Sequence, residues 1–254
     1  MKTFHFLAGL PRSGSTVLSA LLNQHPDVHA SATSGLCELM VSTFQTWKNS
    51  DAEQSSTSVL QIKSVLKSMM DARYEHVDKP VIIDKSRSWA EIASLNALSD
   101  LLGRRPKIVV TVRNVEDCAA SFVRVAKPNN VEDFLRNDTL IEHLKMSYKA
   151  LSEGYAYDKE CFLVVEYEKL IEEPQKQLRR VEDFLGLSPV EYDLHHLAET
   201  APKERDEEVW RVPGLHDVKP ELKKQHNQDS REVLEHSLYL HRHNHRRLQF
   251  YRQP

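Results

Sequence analysis

The chain has 254 residues, 40% hydrophobic and 28% charged, with a formal net charge of −3. Length and composition suit a globular protein with one sizeable core. The slight negative charge excludes a nucleic-acid binder held by bulk charge, so an anionic ligand must be gripped by a few placed groups.

From the N-terminus, the apolar run Phe4–Leu10 is too short for a signal h-region with its cleavage site, and it leads straight into a glycine loop. No window approaches the roughly 20 apolar residues of a membrane span. Cys37, Cys118 and Cys161 stand far apart, with no CxxC and no metal spacing. Free thiols in a reducing, cytoplasmic setting are expected, with Cys118 and Cys161 as inert packing residues.

Four compact runs, Phe4–Ala8, Val81–Ile83, Ile108–Val112 and Phe162–Val165, read as strands. Each leads through a polar turn into a helix-period pattern. Val17, Leu18, Leu21 and Leu22 follow the first, and Ala90–Leu102 the second. Val115–Val125 and Val131–Leu151 follow the third, and Pro174–Leu185 the fourth. Pro174 suits a first helical turn, where its missing N–H costs little, and Gly186 stops that helix.

Such alternation predicts a parallel sheet covered on both faces. The expected fold class is α/β, a P-loop-like three-layer sandwich with a central parallel sheet flanked by helices, in one domain over residues 1–254. Between Ser188 and Ser230 apolar runs are few and charge is dense at Lys203–Glu208. A stretch this long without clear elements marks a functional loop or lid, set at 190–228. Ser230–Tyr251 reads as a helix with a basic end of Arg242, Arg246, Arg247 and Arg252. That end is either a solvated terminus with favourable cations or a contact for an anionic partner.

The densest chemistry lies after the first strand, in Gly9-Leu10-Pro11-Arg12-Ser13-Gly14-Ser15-Thr16. A strand, a glycine-bounded loop and a helix N-terminus present unpaired N–H groups to an anion. Ser13, Ser15 and Thr16 add hydroxyls, and Arg12 adds a charged fork. The Gly9-to-Gly14 spacing matches the nucleotide motif GxxxxGK[ST], yet Ser15 stands where its lysine belongs. That substitution argues against ATP chemistry.

Pro11–Thr16, continuing through Leu21–Val28, resembles the 5′-phosphosulfate loop of the 3′-phosphoadenosine 5′-phosphosulfate (PAPS)-dependent sulfotransferases, in the bacterial and tyrosylprotein-like branch. Val109–Asn114 with Ser121 is similar to the family's strand ending in Arg and the Ser eight residues on, which implies that Arg113 and Ser121 hold the donor's 3′-phosphate. Val164–Leu170, Glu173-Pro174 and Phe184–Leu187 resemble a third family block and imply that Tyr167 lies near the nucleotide. Trp210–His216 falls where the family closes a late loop over the 3′-phosphate, making Arg211 and the Gly214 backbone candidates. The cytosolic members' Arg-Lys-Gly is absent there.

The resemblance implies PAPS as donor and 3′,5′-bisphosphoadenosine (PAP) as product, without a metal. It makes Lys85, beside Arg12, a cation for the transferring group. Sulfuryl transfer builds charge on the bridging oxygen, which fixed cations stabilise. The family's usual base is missing. The positions where relatives carry Glu hold Ala32, Thr33 and Ser34, and the cytosolic His is replaced by Arg87. Glu38 is the nearest carboxylate, with His25 and His29 as alternatives. A P-loop small-molecule kinase using ATP and Mg²⁺, with Asp84 as a metal ligand, is a competing reading. A non-catalytic PAP-binding protein is another. The acceptor is expected to be a hydroxyl or amine compound of open class, its pocket formed by Ser42–Lys79 and Ser188–Lys224. No nucleic-acid or membrane partner is expected, and the oligomeric state is undetermined.

Overall fold

A computed structural model describes residues 2–198, 208–209 and 211–222. The helix expected at Ser230–Tyr251, with its arginines, lies outside the described residues, as do Trp210 and most of Lys203–Glu208.

Five strands form one sheet: β1 (Thr3–Gly9), β2 (Val28–Ala30), β3 (Val81–Lys85), β4 (Ile108–Val112) and β5 (Phe162–Glu166). All neighbours are parallel, in the order β2-β3-β1-β4-β5, with Phe6 level with Asp84 and Ile108. The described helices are α1 (Ser15–Leu22), α2 (Leu36–Lys48), α3 (Asp51–Ser56), α4 (Val59–Arg73), α5 (Ile92–Leu102), α6 (Val115–Ala126), α7 (Val131–Asn137), α8 (Thr139–Tyr157), α9 (Tyr167–Glu172) and α10 (Pro174–Leu185). The expected α/β architecture is present, with the sheet between two helical layers.

Alternation along the strands feeds both layers. Phe4, Phe6, Ala8, Ile82, Ile108, Val110 and Val112 face a core shared with α2, α4, α5, α6 and α8. Leu7, Ile83, Val109 and Val165 face a second core shared with α1 and α10. Burial on both faces explains why these strands read as continuous apolar runs.

Three details depart from the sequence reading. Strand β2 is too short for any periodicity and exists through its neighbour: Val81 N donates to Asp27 O at 3.0 Å, and Ser31 N to Ile83 O at 3.0 Å. The helix expected from Ala90 begins at Ile92, after a 3₁₀ turn at Arg87–Ala90. The stretch Val131–Leu151 is two helices, because Asp138 turns extended and its carboxylate accepts from Leu140 N at 2.8 Å, capping α8. The C-terminal ends of β1, β3 and β4 open toward one cleft, the usual ligand side of a parallel sheet.

Candidate functional site

The loop after β1 is held by main-chain geometry. Gly9 has φ 134°, and a Cβ there would sit 2.2 Å from Thr111 O, so only glycine lets β1 and β4 approach so closely. Leu10 N donates to Thr111 O at 3.0 Å. The Ser13 hydroxyl, fully buried, contacts Leu10 O at 2.5 Å and Thr111 Oγ1 at 2.7 Å. It ties the loop to β4 and faces inward, so the structure places that hydroxyl away from the cleft. Gly14 caps α1 at φ 89° with no side-chain cap. The N–H groups of the first turn, at Ser15 and Thr16, therefore stay available to an anion.

Tyr167 organises the next layer. A Cβ on Gly14 would lie 2.8 Å from its ring, and the Arg113 guanidinium sits 4.1 Å from its ring centre. Arg113 is only 6% exposed. Its Nε lies 3.7 Å from Glu168 Oε1 and has no hydrogen bond among the described residues. A buried guanidinium so weakly paired fits a ligand that brings negative charge. Arg12 donates from Nε to Ser121 Oγ at 3.1 Å and from Nη1 to Leu215 O. Lys85 donates from Nζ to Thr16 Oγ1 at 3.2 Å. Arg12, Ser15, Thr16, Lys85, Arg113, Ser121 and Tyr167 thus share the wall of one cleft of about 1550 Å³.

Sequence reasoning missed Arg124. It lies three residues after Ser121 on α6 and lines the same cleft. Burial first, then the neighbouring Arg113, depress its pKa. Like charges gathered beside a helix N-terminus suit a multiply charged anion such as a nucleotide bisphosphate. The i,i+3 spacing from Ser121 was the available signal. Gly214 reaches the cleft at φ 72°, whereas Arg211 is exposed and outside its wall.

Beyond Lys85, Glu38 lines the cleft from the first turn of α2. Its Oε1 accepts from Ser86 Oγ at 3.0 Å and from Ser88 Oγ at 3.1 Å. Both bonds fall on one oxygen, so the carboxylate is oriented and Oε2 has no hydrogen bond among the described residues. The alternative bases stand elsewhere. His25 is fully buried, accepting from Asp27 N at Nδ1 and donating from Nε2 to Ser188 O at 2.9 Å. His29 packs edge-on to Tyr74, and burial lowers its pKa.

Asp84 is also displaced from the cleft. It is buried under the Tyr74 hydroxyl and Trp89 Nε1, the latter at 2.7 Å, and burial raises its pKa. That packing removes the sequence argument for Asp84 as a metal ligand in an ATP-using kinase. Among the described residues no three His, Cys, Asp or Glu side chains gather as a metal site, and no helix is long and apolar enough to cross a membrane. The three cysteines are free and buried, and burial pushes their thiols up to about 12.

Fold and cleft together define an α/β phosphate-loop protein with a cationic pocket at its strand ends. Residues 5–191 match the sulfotransferase family, and the chain belongs to it. It is 25% identical over 209 residues to protein-tyrosine sulfotransferase A of Caenorhabditis elegans, covering 76% of this chain and 52% of the relative. It is 24% identical over 197 residues to nodulation protein H of Rhizobium tropici, covering 71% of this chain and 74% of the relative. The chain therefore spans about half the length of the nematode relative. The sulfotransferase domain of the Synechococcus PCC 7002 olefin synthase shares the fold at TM-score 0.51 and 22% identity, over 93% of this chain and 96% of that one.

Proposed function

We propose that the protein transfers a sulfuryl group from PAPS to a hydroxyl acceptor. The observation that carries this reading is Arg113: a buried, weakly paired guanidinium stacked on Tyr167, on the same cleft wall as Arg12, Ser121 and the open first turn of α1. Family membership supports the same reading.

In this reading Arg113, Ser121 and Arg124 hold the donor's 3′-phosphate, and the α1 N-terminus with Ser15 and Thr16 holds the 5′ end. Ser13 serves through the loop it ties rather than through its hydroxyl. Lys85 and Arg12 stabilise charge on the departing phosphate oxygen as the S–O bond to it breaks. Glu38 takes the acceptor's hydroxyl proton as the new S–O bond forms. The 211–222 segment closes over the donor, supported by the Arg12 contact to Leu215 and by the burial of Leu215 and Val218. Gly214 would contribute there, and Arg211 would need to move. A cytoplasmic setting is supported by the three unpaired thiols.

A thermal-shift comparison tests the reading, since a ligand that binds only the native state raises stability. PAP should stabilise the protein and ATP with Mg²⁺ should not. Stabilisation by ATP with Mg²⁺ alone would overturn the reading in favour of a kinase. Transfer of labelled sulfate from PAPS to a panel of hydroxyl acceptors then separates an enzyme from a non-catalytic PAP binder.

A further inference from the structure

Beyond Lys85 the cleft carries a second group of cations that the donor does not require. Arg87, in the 3₁₀ turn after β3, and Arg73, at the end of α4, both line the cleft. Neither side chain has a hydrogen bond or ion pair among the described residues. Arg87 is half-buried, and burial depresses its pKa, whereas Arg73 is exposed at the rim.

The position of Arg87 points to the acceptor and away from the donor. Ser86 and Ser88 flank it, and both donate to Glu38 Oε1. Its Cα is therefore about 3.8 Å from each of the residues that aim the proposed base. Glu38 partly offsets the effect of burial on Arg87, and from α8 His143 has its pKa lowered by burial and then by Arg87. Lys85, two residues earlier, instead faces Thr16 of the phosphate loop. One turn thus sends Lys85 toward the donor and Arg87 toward the space beside Glu38.

We infer that Arg87, with Arg73, forms an anion subsite for the acceptor, which is a compact hydroxyl compound bearing a carboxylate. The planar guanidinium fork matches a carboxylate bidentately. A carboxylate held by Arg87 puts the rest of the acceptor in the cleft whose wall Glu38 shares. The anion also supplies Arg87 with a directly bonded counter-charge. Glu38 need not supply that charge, so it stays available as a base. The inference rests on the sulfotransferase reading above.

The test uses the full chain saturated with PAP and two matched probes, 4-hydroxyphenylacetate and its neutral amide, titrated by calorimetry. The acid should bind roughly ten- to hundredfold more tightly than the amide, as expected for a charge-assisted pair. Arg87→Ala should erase most of that preference while leaving amide affinity within about twofold, Arg87→Lys should keep part of it, and Arg73→Ala should reduce it less. Equal affinity for acid and amide, a preference that survives Arg87→Ala, or binding of neither probe overturns the inference. A wild-type protein that PAP does not stabilise fails the sulfotransferase reading itself. PAP stabilisation without discrimination between the probes fails only the carboxylate subsite.

Discussion

At one end of the cleft, Gly9, Gly14 and the inward hydroxyl of Ser13 hold a loop by main-chain geometry, and Arg113 lies on a fixed ring. At the other end, Glu38, Arg73 and Arg87 project from helix ends and a 3₁₀ turn; serine hydroxyls position Glu38, and the two arginines have no hydrogen bond or ion pair among the described residues. The first arrangement suits a ligand that never changes, because glycine conformation and buried hydrogen bonds tolerate few alternatives. The second can be retuned by single side-chain substitutions without disturbing the sheet, so the proposed acceptor subsite falls where such changes are cheap.

The comparison can be broken most directly at Glu38. Glu38→Gln keeps the shape and the two serine contacts but cannot take a proton. It should lower kcat by about 10²- to 10⁴-fold while PAP affinity stays within about twofold. Steady-state kinetics beside PAP calorimetry reads both, and an unchanged kcat would remove Glu38 as base. Next in size, Gly9→Ala forces a Cβ to within 2.2 Å of Thr111 O. It should cost about 3 kcal/mol or more in chemical denaturation, because backbone cannot yield as a side-chain tip can. The same change at Gly35, where a Cβ meets nothing within 4 Å, should cost less than about 1 kcal/mol.

The sheet that joins the two ends should announce itself through pH. His5, in β1, is buried beside Arg104 and Lys107, and burial lowers its pKa to about 4. The unfolded chain binds that proton near pH 6.5 and the folded one only near pH 4, so stability falls as pH drops through this window. The loss should reach about 3 kcal/mol at most, and His5→Gln should flatten the slope of denaturation midpoint against pH. At the donor end, Arg113→Ala should weaken PAP by about 30- to 100-fold. Amide-probe affinity should barely change if the two ends are independent, and a loss at both ends would show that they are coupled.

Much of the donor end was legible in the sequence because its signals are local. A strand, two glycines at a set spacing and a helix start lie within fourteen residues, and the Arg113–Ser121 spacing is two helical turns. Tyr167 was legible as a candidate for the cleft wall, but its packing against Gly14 was not, since the two are far apart in the chain. Strand β2 was missed because three residues carry no period. Ser13 looked like a phosphate donor because a hydroxyl's direction cannot be read from its place in a loop.

By itself the sequence determined the parallel sheet, the helix that follows each long strand, and the loop, since apolar period, glycine and proline act over a few residues. The tertiary structure alone decided which of three candidate bases reaches the cleft. It buried His25 behind a hydrogen bond to Ser188, 163 positions away, and it brought Ser86 and Ser88 to Glu38 across 48 and 50 positions of chain. It also gathered Arg124 beside Arg113 and left Arg73 and Arg87 facing the same cleft. Charges assemble through the packing of separate helices, and no local rule of sequence carries that information.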